Sequence, residues 1–307
     1  MGFALSTSWN AWRCSNAKEL LFEIKNTGFS ELELSFNLTP LMVEEIEQLA
    51  PANQMKVSSL HNFCPIPDGI GRAEALPDYY SLSSPNQEER KLAVKQTKKT
   101  IDTARRLHAR AVVLHCGRVE IPDKTRDLIG LYNQGLKNSP KFIRIKDLAI
   151  EERKDTAQVF LENAMRSLEE LSLYAQKTEI SLGVETRFYY REIPSFQEVG
   201  LILEAFRGAG IYYWHDTGHA QVMENLGLSK HREYLEAYAK DLLGIHLHGV
   251  RGCQDHQAPA KGEFDFSQLK GYLKKDTLKV IEAHHPATAS DLKEAGNFLE
   301  KELNGRA

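Results

Sequence analysis

The chain has 307 residues, of which 42% are hydrophobic and 26% are charged, and its formal net charge at pH 7 is -3. This composition is ordinary for a globular protein. The acidic balance argues against nucleic acid as a partner, because proteins that clamp phosphate backbones usually carry a basic excess. The four cysteines form no Cys-x-x-Cys pair, which argues against a disulfide scaffold and a cysteine-rich zinc site and indicates a reducing compartment.

The first residues carry no recognisable targeting signal. The stretch "MGFALSTSWNAWRC" lacks a basic start followed by a long apolar core, so no signal peptide is predicted. No apolar run approaches the roughly 20 residues that a membrane span requires. We therefore expect a cytoplasmic protein without a membrane partner.

Eight short segments, mostly apolar and rich in β-branched or aromatic residues, are predicted to be strands buried on both faces. They are 3–8, 31–36, 56–61, 111–116, 180–185, 211–216, 242–248 and 278–283. Amphipathic patterns between and after them predict helices at 17–27, 41–50, 89–108, 154–177, 195–208, 229–241, 267–275 and 288–303. This alternation favours a (β/α)₈ TIM barrel over a doubly wound open sheet, whose Gly-x-Gly-x-x-Gly fingerprint is absent after every strand. No linker is visible, so we expect one domain over 1–307.

Two predicted connections are long. Residues 62–87 follow the third strand, and residues 117–153 follow the fourth and mix basic with apolar side chains. Both leave the carboxyl ends of strands, where the active sites of barrels lie. We therefore expect lids or binding loops there.

Ionisable side chains stand at the ends of six of the eight predicted strands. In chain order these residues are His61, His115, Glu185, Asp216 with His219 just beyond, His246 with His248 and His256, and Glu282. In a barrel these strand ends converge on one rim, where several carboxylates and imidazoles would repel and desolvate one another without a cation. A bound divalent metal resolves the conflict, and the mixture of ligands suits Zn²⁺, Mn²⁺, Co²⁺ or Fe²⁺ better than Ca²⁺.

Each of these residues also has a structural interpretation. Asp216 could cap a helix that starts near Thr217, and Glu185 could pair with Arg187. His248 faces the same side of its strand as His246 and could support a ligand instead of binding substrate. Gly218 is expected to let the chain turn sharply enough to bring His219 over the rim.

Several motifs together resemble the xylose isomerase-like barrel superfamily, which includes sugar isomerases and epimerases, inosose dehydratases and endonuclease IV. The resemblance is carried by "GFSELELSF" (28–36), "AVVLHCG" (111–117), "LGVETR" (182–187), "HDTGHA" (215–220), "IHLHG" (245–249), "DHQAPAKGEFDF" (255–266) and "VIEAH" (280–284). In the epimerase branch, it implies one metal held by Glu185, Asp216, His246 and Glu282. The two glutamates would also exchange protons with the substrate. Substrate or supporting contacts are implied at His61, His115, Arg187, His219, His248 and His256.

The endonuclease branch holds three zinc ions with nine ligands, and this chain departs from that pattern at one position. Eight positions match in type: His61, His115, Glu185, Asp216, His219, His246, His256 and Glu282. The ninth ligand, an aspartate in that branch, corresponds to Gln254 here. Asp255 follows one residue later, where its side chain is not required to reach a metal.

The leading functional hypothesis is therefore a metal-dependent isomerase or epimerase, using Mn²⁺, Co²⁺ or Zn²⁺ and acting through an enediolate on a sugar, sugar phosphate or polyol. A zinc-dependent hydrolase or phosphodiesterase and a non-catalytic ligand-binding barrel are the alternatives. The expected partner is a small carbohydrate, and the sequence leaves a homo-oligomer open.

Overall fold

The computed structural model describes residues 2–304, and eight parallel strands close a barrel at its centre. The barrel strands are β1 (Ala4–Ser6), β2 (Glu31–Leu34), β3 (Lys56–His61), β4 (Ala111–Leu114), β5 (Ser181–Glu185), β6 (Ile211–Asp216), β7 (Leu242–Leu247) and β10 (Leu278–Ile281). They pair in chain order, and β10 closes the ring by pairing with β7 and β1. The predicted TIM barrel is confirmed, and all eight predicted segments contain a strand.

The helices surround this barrel. They are α1 (Ala17–Asn26), α2 (Pro40–Ala52), α3 (Gln87–Arg106), α4 (Lys124–Asn133), α5 (Pro140–Thr178), α6 (Phe196–Ala205), α7 (Thr217–Asn225), α8 (His231–Tyr238) and α9 (Ala289–Asn304). Side chains at helical spacing explain their packing, since each helix buries one apolar stripe against the strands or a neighbouring helix. None of the helices within the described residues is long and apolar enough to span a membrane.

The connection after β4 is not the long loop that was predicted. Residues 117–153, expected as a lid loop, hold the whole of α4 and the first part of α5, so the connection is mostly helical. Its apolar residues form a second core, in which Leu128 and Phe142 pack with Val222 and Met223 of α7. The connection at 62–86 contains no helix or strand, as expected of a loop.

The segment between β7 and β10 also differs from the prediction. A two-stranded antiparallel hairpin follows β7 at once, formed by β8 (Gly249–Arg251) and β9 (Gln254–Gln257). The helix predicted at 267–275 is wrong, because only a 3₁₀ turn forms there, at Phe266–Leu269. Phe266 and Leu269 of this turn are buried in the main hydrophobic core.

A single large side chain fills the barrel beneath the strand ends. Trp214 of β6 is fully buried, and its ring centroid lies 5.2 Å from that of His246. A Cβ added at Gly244 would lie 2.2 Å from the indole, and one at Gly183 would lie 2.8 Å from it. Both glycines therefore make room for Trp214, which forms a rigid apolar floor below the ionisable residues.

A buried ion pair fixes the segment that follows β5. The guanidinium of Arg153 on α5 donates to both carboxylate oxygens of Glu198, at 2.8 and 2.6 Å. It also donates to the carbonyls of Tyr190 and Glu192. Because every contact of this group is inside the protein, the pair holds the β5 connection against α5 and α6.

Candidate metal centre

Three carboxylates and one imidazole meet where four neighbouring strands end. Glu185 ends β5, Asp216 ends β6, His246 lies near the end of β7, and Glu282 follows β10. All four side chains are buried, and one ligand atom of each lies within 4.8 Å of those of the others. The four residues that the resemblance assigns to one metal are therefore neighbours in space.

The imidazole of His246 is the centre of this cluster. Its Nδ1 atom lies 2.7 Å from Glu185 Oε1, 3.0 Å from Glu282 Oε2 and 3.6 Å from Asp216 Oδ2. Its Nε2 atom lies 2.9 Å from Glu33 Oε1 on β2. A carboxylate that accepts from one imidazole nitrogen orients the ring and leaves the other nitrogen for a metal. Glu33 is thus the supporting partner of His246.

Sequence reasoning missed Glu33. The stretch "ELELSF" served as the second predicted strand and as part of the resemblance, but Glu33 received no role, although alternation directs its carboxylate into the barrel. Glu33 is fully buried and also accepts a hydrogen bond from Ser59 Oγ at 2.8 Å. The available signal was the alternation of glutamate and leucine in this strand, because side chains of alternate residues point to opposite faces.

The cluster carries an excess of buried negative charge. Burial alone would raise the pKa of the Glu185, Asp216 and Glu282 carboxyls, but nearby imidazoles hold all three pKa values well below the usual range. Burial alone would lower the pKa of His246, but the carboxylates of Glu282 and Glu33 raise it well above the usual value. A divalent cation among these oxygens and the Nδ1 atom would offset the excess, so the donor set fits a metal.

His61 and His115 flank Glu185 on the other side. His115 Nε2 lies 2.8 Å from Glu185 Oε2, and His61 Nε2 lies 4.0 Å from the same oxygen. The Nδ1 atom of His61 is 3.1 Å from the carbonyl of Asn62, which fixes its Nε2 toward the cluster. Burial, with the charge of Arg187, lowers the pKa of His115 to about 4. His115 is therefore neutral near pH 7, the form that can bind a metal or accept a hydrogen bond.

Arg187 is buried within the site instead of lying exposed over its rim. Its guanidinium donates to Glu185 and, at 3.0 Å, to Glu192 Oε1. Burial lowers its pKa, but the charges of Glu192 and Glu185 outweigh burial and raise it. The resemblance implied a substrate or supporting contact at this position. Arg187 bridges Glu192 and Glu185 and orients the Glu185 carboxylate.

His248 is also fully buried, and both of its ring nitrogens are engaged. The backbone N–H of His256 donates to its Nδ1 at 2.8 Å, so its Nε2 carries the proton. That Nε2 lies 3.0 Å from both carboxylate oxygens of Asp216. The ring predicted to contact substrate therefore holds Asp216 in place, which was the supporting role left open by the sequence.

Gly218 has a different role from the one that the sequence suggested. It lies within α7 and has no left-handed conformation to explain it. A Cβ at this position would lie 2.0 Å from Cε1 of the His248 ring. The glycine is required because it leaves space for His248, and the sharp-turn explanation is wrong.

Gly218→Ala is expected to displace His248 from Asp216 and to weaken metal binding at least about tenfold. Overpacking of this kind also costs roughly 1–3 kcal/mol of stability. Metal titration by calorimetry and urea unfolding measure the two effects. Gly130→Ala, on α4 with no atom within 4 Å of the new Cβ, is the matched control and should leave both values unchanged or slightly improved. Equal metal affinity in the two variants would contradict the conclusion that Gly218 leaves the space that His248 needs to hold Asp216.

His219, His256 and Asp255 form the outer part of the rim. His219 Nδ1 lies 2.9 Å from the carbonyl of Thr186, and its Nε2 lies 3.8 Å from Asp255 Oδ2. His256 Nδ1 lies 2.9 Å from the same Asp255 oxygen, and its Nε2 lies 3.8 Å from Glu282. Asp255 thus reaches the histidines, a contact that the sequence did not require.

His284 is a second residue to which sequence reasoning gave no role. Its ring stacks on that of His256, with centroids 3.8 Å apart, and it forms a possible ligand group with His256 and Glu282. Its position two residues after Glu282 was the available signal. The cluster of Glu185, Asp216, His246 and Glu282 is therefore surrounded by further imidazoles on both sides.

A family model built from known proteins matches most of the chain. A family model described as "Xylose isomerase-like TIM barrel" matches residues 21–302. The chain belongs to this family. No curated protein sequence matches it.

Solved structures of the xylose isomerase-like fold cover the chain almost completely. A D-tagatose 3-epimerase-like protein has a TM-score of 0.69 at 18% identity, with 99% of this chain and 97% of that chain covered. The apo form of 3-keto-D-glucoside 4-epimerase from E. coli has a TM-score of 0.68 at 14% identity, covering 98% and 99%. The IOLI protein with a bound zinc atom has a TM-score of 0.64 at 14% identity, covering 98% and 97%. At these identities the likeness shows the shared fold.

Proposed function

We propose that the protein is a metal-dependent isomerase or epimerase of a sugar or polyol. The observation that carries the proposal is the convergence of three carboxylates on Nδ1 of a single buried imidazole, His246, whose other nitrogen faces Glu33. Glu185, Asp216, His246 and Glu282 would hold the ion, with Mn²⁺, Co²⁺ or Zn²⁺ as candidates. When bound, the ion supplies Lewis-acid polarisation of a substrate carbonyl. Epimerases and a zinc-containing protein among the structural neighbours support this choice.

Glu185 and Glu282 would carry the protons. Both approach the same His246 nitrogen, and they come from opposite sides of β7 in the strand order, since Glu282 follows β10 and Glu185 ends β5. One carboxylate would remove the proton from the carbon beside the carbonyl, and the other would return a proton to that carbon or its neighbour. In the metal-free protein, nearby imidazoles hold both pKa values well below the usual range, so both carboxyl groups are ionised near pH 7.

The surrounding residues would hold these groups in position. Arg187 and His115 fix one oxygen of Glu185, and His248 fixes Asp216. Rigid strand ends and buried supporting contacts keep reacting groups within the narrow geometry that proton transfer needs. The buried setting also limits the access of water to a carbanionic intermediate.

Proton exchange with solvent tests the proposal directly. Protein loaded with Mn²⁺ or Co²⁺ is incubated in D₂O with a panel of ketoses, aldoses and keto-polyols, and loss of the C–H signal is followed by NMR. We expect metal-dependent exchange at the carbon beside the carbonyl for at least one compound, together with a new isomer or epimer. Absence of metal-dependent exchange over the whole panel would overturn the proposal.

Metal affinity is expected to rise with pH. In the metal-free protein the pKa of His246 is raised well above its usual value, so this imidazole is protonated near pH 7 and must lose its proton to bind a metal. Below that raised pKa, each released proton should increase affinity about tenfold per pH unit. Calorimetric titration with Mn²⁺ in two buffers of different ionisation enthalpy counts the protons. A metal affinity that is constant between pH 6 and pH 8 would contradict the expectation that His246 loses a proton when it binds the metal.

A metal-dependent hydrolase using two or three ions is the second candidate. It is favoured by the further groups around the central cluster: His61, His115 and Glu185 on one side, and His219, His248 and His256 on the other. The engaged nitrogens of His248 weaken the second group, although Asp255 stands beside it. Elemental analysis separates the candidates, because a hydrolase of this type requires two or more ions per chain. One ion per chain, with no cleavage of a phosphodiester, would reject it.

A further inference from the structure

A series of hydrogen bonds runs behind the metal centre, between the barrel wall and the helices α7 and α8. Side chains alternate along β6, so Tyr213 and His215 point outward from the barrel interior, in which Trp214 and Asp216 lie. The layer between parallel strands and their helices is usually apolar. Here it holds polar side chains that bond one to the next, and we call them the β6 network: Thr186, Tyr213, His215, His231, Gln221 and Asn225.

The first four members of the β6 network are buried, and the links between them are short. The Tyr213 hydroxyl oxygen lies 2.6 Å from Oγ1 of Thr186 and 2.6 Å from Nδ1 of His215. Nε2 of His215 lies 2.8 Å from Nε2 of His231, which is the first residue of α8. Two imidazole nitrogens at this distance share one proton, so one ring donates and the other accepts.

The far end of the network determines which ring donates. Asn225 Nδ2 donates at 2.6 Å to the carbonyl of Gly252, which can only accept. Asn225 Oδ1 therefore accepts from Nε2 of Gln221 at 3.0 Å, and Oε1 of Gln221 accepts from Nδ1 of His231 at 3.2 Å. Burial lowers the pKa of His231 to about 3, so its single proton is on Nδ1 and its Nε2 accepts from His215. The two imidazoles must therefore carry their protons on different nitrogens.

Both ends of the β6 network join residues at the rim of the metal centre. At one end, the carbonyl of Thr186 accepts from Nδ1 of His219 at 2.9 Å. At the other end, Gly252 lies in the turn of the β8–β9 hairpin, which carries Asp255 and His256. The network therefore links the segment after β5 to the hairpin after β7, and it does so around β6.

His256 connects the position of the hairpin to the metal centre. Its backbone N–H donates to Nδ1 of His248 at 2.8 Å, and Nε2 of His248 holds Asp216. Its own φ is 52°, in the left-handed region that a residue with a side chain rarely adopts. Such a conformation persists only when surrounding contacts hold it. Release of the hairpin turn is therefore expected to release this N–H as well.

We infer that Tyr213, His215 and His231 are positioning residues that hold the β8–β9 hairpin in register with the ends of β5 and β6. Every member of the network donates in the same direction, so the loss of one link leaves buried polar groups without partners on both sides. The strand β9 has no buried residue, so the hairpin is the segment expected to move. Any effect on substrate rests on the proposed function, whereas the held hairpin does not.

Histidine tautomers test the β6 network without a metal or a substrate. Metal-free protein labelled with ¹⁵N in its histidines is studied by NMR at pH 7, and the ring nitrogens are assigned with the His215→Gln and His231→Gln variants. We expect the proton on Nε2 of His215 and on Nδ1 of His231. The same tautomer on both rings, or a mixture of tautomers on either ring, would overturn the inference.

Hydrogen exchange tests whether the network holds the hairpin. Tyr213→Phe and Tyr234→Phe each remove the hydroxyl of a buried ring, and the two rings stack on one another, but only the Tyr213 hydroxyl belongs to the network. In Tyr213→Phe protein, the backbone N–H of His256 is expected to exchange with D₂O at least about tenfold faster than in the wild type. Tyr234→Phe should leave this rate unchanged, and equal rates in the two variants would overturn the inference.

Variants of His231 provide a second measurement at the other side of the network. His231→Phe keeps an aromatic ring against Phe264, on which His231 stacks with centroids 4.6 Å apart, but the new ring neither donates nor accepts. It should speed exchange of the His256 N–H at least about tenfold. His231→Gln can donate and accept, so it should restore most of the protection. Protection that is the same in the Phe and Gln variants would overturn the inference.

Kinetics separate positioning from a purely structural role. In Tyr213→Phe protein, KM for the sugar or polyol that proves active should rise at least about fivefold while kcat changes less than about twofold, because the rim histidines move and Glu185 and Glu282 do not. A purely structural role would lower the unfolding temperature and leave both constants equal to those of the Tyr234→Phe protein, which would overturn the inference. The expected tautomers and exchange rates without turnover of any compound would overturn only the proposed function.

Discussion

Glu282→Gln is expected to lower kcat at least about 100-fold while the protein keeps its fold and its metal. Glutamine has the same shape and offers a carbonyl oxygen to a cation, but it cannot accept a proton. A positioned general base contributes roughly 10²–10⁴-fold to rate. Steady-state kinetics on the active compound of the panel, together with elemental analysis of the same sample, measure both quantities.

The corresponding variant at the other glutamate, Glu185→Gln, extends this prediction. If Glu185 and Glu282 act on opposite faces of the substrate, each single Gln variant should still exchange the proton of one isomer with D₂O but convert neither isomer. Glu236→Gln, an exposed carboxylate that pairs with Arg232 on α8, is the control and should keep full activity. A loss of kcat that follows a loss of metal would show that Glu282 acts only as a ligand. Retention of more than a tenth of the activity would refute its catalytic role.

The position of the site could be predicted because the sequence allowed the ends of the strands to be predicted. The segment "IYYWHD" forms β6 with the predicted bounds, so Asp216 had to reach the rim. The same reasoning brought Glu185, His246 and Glu282 together, because parallel strands in a closed barrel end on one face. Alternation and barrel topology alone are sufficient for this step.

The supporting contacts were not predictable in the same way. Glu33 and His246 are 213 residues apart in the chain, and no local pattern links them. The hydrogen bond that makes His248 hold Asp216 depends on a backbone N–H of the β8–β9 hairpin, which sequence reasoning did not anticipate. The role of Gly218 depends on that same ring. Such roles are set by tertiary packing, which periodicity does not encode.

Two predicted helix boundaries were wrong. The prediction started α5 near residue 154, but its first turns are stabilised by a separate apolar cluster that includes Phe142 and Val222. The predicted helix over 89–108 included His108, yet this residue lies beyond the end of α3 with a φ of 54° and is exposed. For α5 the local pattern was compatible with two structures, and distant contacts selected one. The end of α3 is set locally, by a hydrogen bond from the N–H of Ala109 to the carbonyl of Ala104.

Removal of the metal is expected to abolish activity and to lower the unfolding temperature by about 5–11 °C. A ligand present at 100 times its Kd stabilises the folded state by about 2.7 kcal/mol, and each kcal/mol shifts the transition by roughly 2–4 °C in a large domain. Chelated and reloaded protein is compared by calorimetry, and Mn²⁺, Co²⁺ or Zn²⁺ should restore both properties.

The physical reason is that a bound cation would offset the charge of Glu33, Glu185, Asp216 and Glu282, which His246 and Arg187 balance only in part. His246→Asn is the matched control: it removes the central ligand, so chelation should leave the unfolding temperature of this variant unchanged. If chelator shifted the unfolding temperature of the variant as much as that of the wild-type chain, the stabilising ion would lie elsewhere. An unfolding temperature of the wild-type chain that is unaffected by the metal would show that the carboxylate cluster is balanced by its imidazoles and Arg187 alone.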